Sequence, residues 1–268
     1  MVEVDASANC IGEAACLLKN LFLHEMFILT FDRTHRVIGD MMQMWMNKLA
    51  SQWLKNATAV MSRIEEKSVL RAKMGEVGEL AAGKTLTRLD KYARTYIEHS
   101  PFLCIGTADE NGHADVSPRG DPPGFVRIID DRTLIIPDRP GNNRADTMQN
   151  IVANPQVGIL FLIPGIDDTL RVNGKAEIID DPAELAPAAV NGRPPRLGIR
   201  VKVEEVFFHC AKAFRRSRLW DPSAKQDRGF LPGLAHMVME QVRACEVGRE
   251  ESDKVEAHIQ EEYRTGLY

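Results

Sequence analysis

The sequence predicts a mainly β fold with flanking helices, an antiparallel barrel or sandwich. Three observations carry the prediction. Short apolar runs recur at close spacing between residues 102 and 208. Turn-forming pairs such as Asn111-Gly112 and Pro164-Gly165 separate several of them. Helical periodicity is confined to short stretches between and outside those runs.

Residues 1 to about 60 contain no proline and read as a helical extension. Met41, Met42, Met44, Trp45, Met46, Leu49, Trp53 and Leu54 recur partly at helical spacing, the pattern of a packing face. Met61 opens a fresh amphipathic pattern and is a second candidate start. The main domain is expected over 61–245. The helical pattern continues to Ser100, with Leu86, Leu89, Ala93, Tyr96 and Ile97 on one face and Thr87 with Asp90 as capping residues.

Then the period changes. Phe102–Thr107 and His113–Ser117 read as a hairpin around Asn111-Gly112, both of which tolerate positive φ. Phe125–Ile129 and Thr133–Ile136 form a second pair of strands. A helix is expected over Arg144–Ala153, capped by Asn142 or Asn143. Gln156–Ile163 and Thr169–Ile179 flank Pro164-Gly165. Asp180-Asp181-Pro182 opens a short helix, and Leu197–Phe208 is a long strand. Leu234, Met237, Val238, Gln241 and Val242 suggest a last helix, followed from about Glu246 by a charged, frayed tail to residue 268.

Composition narrows the function. A net charge of −4 gives no global basic field for nucleic acid. The five cysteines are odd in number and scattered, without Cys-x-x-Cys spacing, so neither a disulfide framework nor a zinc site is expected. That usage fits a reducing cytoplasm. Ala14–Phe31 is the most apolar early stretch, but Lys19, His24 and Glu25 interrupt it, so no membrane anchor and no signal peptide are expected. Signatures for serine hydrolases, zinc proteases, P-loop enzymes and dinucleotide folds are missing.

Three segments carry candidate chemistry. In Pro137–Asn150 a strand ends, a Pro/Gly loop turns and a helix begins, with Arg139 and Arg144 beside its amino end. Free N–H groups there, with a guanidinium, suit a phosphate; a capped surface helix with solvated arginines is the other reading. Ser117-Pro-Arg-Gly-Asp-Pro-Pro-Gly124 is a stiff loop that brings Ser117 and Arg119 to a strand end, or merely connects strands. Lys212 to Arg218 crowd four basic residues beside Trp220, a mixture suited to a flat anionic ligand or to a solvated turn.

These segments, in this order, resemble the pyridoxamine 5'-phosphate oxidase-related FMN-binding proteins from about Leu86 to Trp220. Thr107–Gly112, Ser117–Gly124, Ile136–Arg144 and Leu170–Gly174 carry the likeness, and Phe207–Trp220 is similar to uncharacterised flavin-nucleotide-binding members. The resemblance implies a six-stranded antiparallel split β-barrel, a homodimer with FMN at the subunit interface, and no metal. It implies phosphate contacts from Ser117, Arg119, Asn143 and Arg144, and flavin lining from the backbone of Pro137 and Asp138. It places Thr169 on the isoalloxazine from the other subunit, with Arg218 and Trp220 near the substrate. The vitamin-B6 substrate site is not matched, because Ser117-Pro118 and Asn142-Asn143 stand where the true oxidases differ. The expected activity is therefore a flavin-dependent oxidation or reduction of another small molecule. A non-catalytic flavin-binding or stress-related protein, and a deazaflavin or haem binder on the same fold, are the alternatives.

Overall fold

The computed structural model describes residues 43–51 and 63–268. Met41, Met42, Trp53, Leu54 and the alternative start at Met61 lie outside the described residues. The chain divides between Glu76 and Val77 into two compact units, against an expected boundary at residue 61. In the first, residues 43–51 and Lys67–Met74 are helical, and all are exposed.

The second unit holds seven strands in one antiparallel sheet. They are β1 (Phe102–Ala108), β2 (Ala114–Gly120), β3 (Arg127–Ile128), β4 (Thr133–Pro137), β5 (Gln156–Leu162), β6 (Thr169–Ile179) and β7 (Gly198–His209). Their order is β2-β1-β5-β6-β7-β4-β3. One core gathers Leu103 and Ile105 of β1, Ile159 and Phe161 of β5, Leu170 and Val172 of β6, Ile199 and Val201 of β7, and Leu134 and Ile136 of β4. Alternate residues of strands from both halves of the sheet thus meet inside, and the sheet wraps into a barrel that stays split between β2 and β3. The helix Lys91–His99 sits on this core through Leu89, Ala93, Tyr96 and Ile97, and the Asp90 carboxylate caps it by accepting from Ala93 N–H at 2.8 Å.

The split barrel has seven strands rather than the expected six, because Arg127–Ile128 pairs with β4 as a two-residue strand. Only this much of the expected Phe125–Ile129 strand is extended. The first hairpin forms, but its turn differs. Residues 109–113 are outside both strands, the Asp109 carbonyl accepts from Gly112 N–H at 3.1 Å, and only Gly112 has positive φ, at 84°. The Asp109 carboxylate also holds the amides of Asn111 and His113, so a side chain builds the turn.

β6 carries a bulge between Asn173 and Gly174 opposite β7. A Cβ on Gly174 would lie 2.1 Å from the Lys202 carbonyl oxygen, so only glycine fits this close crossing. The expected frayed tail is instead a helix, Arg249–Thr265, packed on Leu234–Arg243. Glu256 accepts from the Ala235 amide, and Arg243 pairs with Glu251 at 2.8 Å. Charge had masked its packing face. Among the described residues no helix is long and apolar enough to cross a membrane.

Candidate functional site

The segments that follow β2 and β4 meet at one place. Arg139, just after β4, donates Nε–H to Asp121, just after β2, at 2.7 Å. The Asp121 side chain is 2% exposed, so the pair is a buried strut and not a solvated contact. Beside the strut stand Arg119 and Asp138. Arg119 Nη1 donates to the Ser117 hydroxyl at 2.9 Å, and its Nε–H is buried with no acceptor among the described residues. Burial raises the Asp138 carboxyl above its ordinary value of 3.8, against the pull of Arg119 and Arg139. Ser117, Arg119 and Asp138, with Pro137 next to it in the chain, therefore lie close together.

The neighbouring loop departs from expectation at its end. The helix begins at Asp146, not Arg144, and its cap is Ala145 at φ 58° with no side-chain acceptor. Asn142 instead accepts from the Arg144 amide at 3.1 Å, and Asn143 also takes positive φ. Neither asparagine caps the helix: the chain takes positive φ at Asn143 and again at Ala145, which stands in the cap position before Asp146. The Arg144 guanidinium is 72% exposed and paired with Asp146 at 2.9 Å. The helix is tied to the barrel by Asn150, whose amide donates to Thr107 Oγ1 and to Asp115 at 2.8 Å, while Thr107 donates to the same Asp115.

Thr169, Arg218 and Trp220 form a second group. Thr169 is buried at the start of β6 opposite His209. Trp220 donates its indole N–H to the Ile166 carbonyl at 3.0 Å and stacks on Phe214. Arg218 is held by Asp221 and Ser223. No hydrogen bond or ion pair among the described residues joins this group to Arg119. Beside it opens a cleft of about 490 Å³ lined chiefly by Tyr92, Tyr96, Ile166, Leu170, Phe207 and Phe208, with Lys84 and Asp168. Burial pushes the Tyr96 phenol up to about 12, and it donates to the Asp168 carbonyl at 2.7 Å. His209 is pushed down by burial and by Arg171 and Lys84 nearby, which keeps it neutral at physiological pH.

Two residues of the first group escaped the sequence reading. Asp121 lies inside the quoted Ser117–Gly124 loop, and its burial was the missing fact. Tyr268 gave no signal at all, yet its hydroxyl donates to Asp121 at 2.6 Å across 147 residues.

Comparison with known proteins bears on the barrel. No curated protein matches the sequence. Among solved structures, the chain is similar to HupZ of Group A Streptococcus, at 24% identity over 45% of this chain and 93% of that one, with a TM-score of 0.38. General stress protein 26 of Bacillus anthracis shows 16% identity over 43% and 88% of the two chains, TM-score 0.34. An FMN-binding protein of Syntrophomonas wolfei shows 14% identity over 44% and 88%, TM-score 0.34. The sequence model described as pyridoxamine 5'-phosphate oxidase matches residues 89–210, from the helix on the core to the end of β7. Over those residues, under half of the chain, the split barrel is similar to the pyridoxamine 5'-phosphate oxidase family.

Proposed function

We propose that the barrel binds FMN and serves a flavin-dependent oxidation or reduction of a small molecule. The observation that carries this is the buried Arg119 Nε–H, which has no acceptor among the described residues. An unsatisfied donor on a guanidinium is costly, and an anion removes the cost. Arg119 and the Ser117 hydroxyl fit two phosphate oxygens at that point. Arg144 adds a second guanidinium if it turns from the exposed Asp146 contact. The backbone of Pro137 and Asp138 lies beside them to line the ring, with Asn143 at the loop. Bound FMN would supply the electron chemistry; the chain supplies orientation and access. The apolar cleft next to Thr169 offers a place for a flat substrate. Thr169, Arg218 and Trp220 would complete the site from a second copy.

A charge-assisted arginine–phosphate contact contributes roughly 2–3 kcal/mol. Arg119→Ala is expected to weaken FMN about 30- to 100-fold while riboflavin, which lacks the phosphate, binds as before. Titration with both ligands decides it: an equal loss of both would mean general damage, and no loss would remove Arg119 from the site. The absorbance spectrum of the purified protein separates flavin from deazaflavin and haem.

A further inference from the structure

Tyr268 reaches the same corner from the far end of the fold. Its hydroxyl donates to Asp121 Oδ1 at 2.6 Å, while Arg139 takes the other oxygen, Oδ2, at 2.7 Å. Its ring lies 5.5 Å under the Arg139 guanidinium. Arg193 donates to the Tyr268 backbone oxygen at 3.4 Å. One tyrosine thus engages both halves of the strut that joins the β2 and β4 loops. Asp121 stands two residues after Arg119, and Arg139 stands next to Asp138. Displacement of the strut therefore moves the phosphate-facing groups through one or two peptide units, which are stiff. The backbone helps only in part: the amides of Asp121 and Asp138 donate to the carbonyls of Pro101 and Leu197. Among the described residues, the Asp121–Arg139 pair is the hydrogen-bonded link between the two loops.

We propose that Tyr268 is a positioning residue for the phosphate site, clamping the Asp121–Arg139 strut so that Arg119 and Asp138 keep their places. The proposal rests on the flavin reading for its ligand but not for its mechanics. Sites of this kind depend on groups behind the ones that touch ligand, since a small misplacement weakens every contact.

The test uses the whole chain with Tyr268→Phe, which keeps the ring and loses the hydroxyl, and Tyr268→Ala. Amide hydrogen exchange in the ligand-free protein is expected to rise over residues 117–121 and 138–145, more in the alanine variant, with β5 unchanged. FMN binding is expected to fall about tenfold in Tyr268→Phe with riboflavin unaffected. Unchanged exchange in those two segments overturns the proposal whatever the ligand. A rise everywhere, β5 included, makes Tyr268 a general stability residue and overturns it too. Raised exchange with the FMN preference intact shows the strut to be mechanically real and irrelevant to phosphate, which also overturns it. If wild type itself does not prefer FMN to riboflavin, the failure lies in the phosphate reading, and the positioning role falls with it.

Discussion

Asp138 holds its charge between forces of opposite sign. Burial favours the neutral acid, and the two arginines beside it favour the carboxylate, with burial the stronger. Its value in the folded chain is thus raised. Stability from its protonated form is present below the ordinary 3.8 and lost as pH rises through the raised value. A phosphate arriving next to it meets a like charge at neutral pH and a neutral acid below that window. Asp138→Asn is therefore expected to bind FMN about three- to tenfold more tightly than wild type at pH 7, with the two converging as pH falls. Parallel titrations carried from pH 7 down to the ordinary 3.8 check this, and the difference between proteins cancels the titration of the phosphate itself. Identical affinities throughout would mean that no phosphate lies beside Asp138. At this scale the sequence showed which arginines were available but not what each held. Arg139 and Arg144 looked alike in one loop; Asp121 claims the first and Asp146 the second. Arg119 could be told from them only by its buried, unshared N–H.

Period and turn chemistry located the strands to within a residue or two, except that β2 runs on to Gly120, three residues past the expected Ser117, so that Pro118 and Arg119 lie in the strand and not in a loop. They did so because one face of each strand enters a single core, which leaves strict alternation in β1 and β5. The departures occur where side chains or remote backbone set the geometry. Asp109 builds the first hairpin turn, and the loop before Asp146 spends two left-handed residues that no local signal requires. The helix Arg249–Thr265 was hidden because its packing face is narrow, with Ser252 its one buried residue. The bulge in β6 belongs to the same class of feature, invisible until β7 is laid beside it. Gly174→Ala would press a methyl against the Lys202 carbonyl, and we expect a loss of about 2–4 kcal/mol in chemical denaturation. A loss below about 0.5 kcal/mol, within the range of ordinary surface substitutions, would mean that the crossing relaxes freely.

The outer face of the sheet sets the expectation for the whole molecule. Register places Pro118, Cys104, Leu160, Arg171 and Phe207 in one row across five strands, with Val116, Gly106, Gly158 and Asn173 in the next. An antiparallel sheet with one solvated face would carry polar residues there. Val116 is 71% exposed, and Arg171 Nε–H is buried with no acceptor among the described residues. Arg171 and Glu205, weakly paired at 3.4 Å, supply both signs of charge, as a two-fold contact between identical faces requires. We expect a homodimer through this face, with Val116→Glu and Leu160→Glu giving monomers by light scattering and weakening FMN binding together. Monomeric wild type with full flavin occupancy would overturn both the face and the shared site. The barrel was legible from the sequence because its strands are local; the pairing of the two loops at Asp121 was not, since it depends on how the sheet closes.

β2 is an edge of the sheet, and Pro118 stands within it, one residue past the middle. A bare edge is a template on which a passing strand, native or misfolded, can extend the ladder. Proline has no N–H to offer, so the run of donors along β2 is interrupted within the strand. Arg119 next to it adds a charge that a stacking strand would have to bury. The barrel can thus leave its seam open for a ligand without leaving it open to fibril growth, an exposure that closed barrels never face.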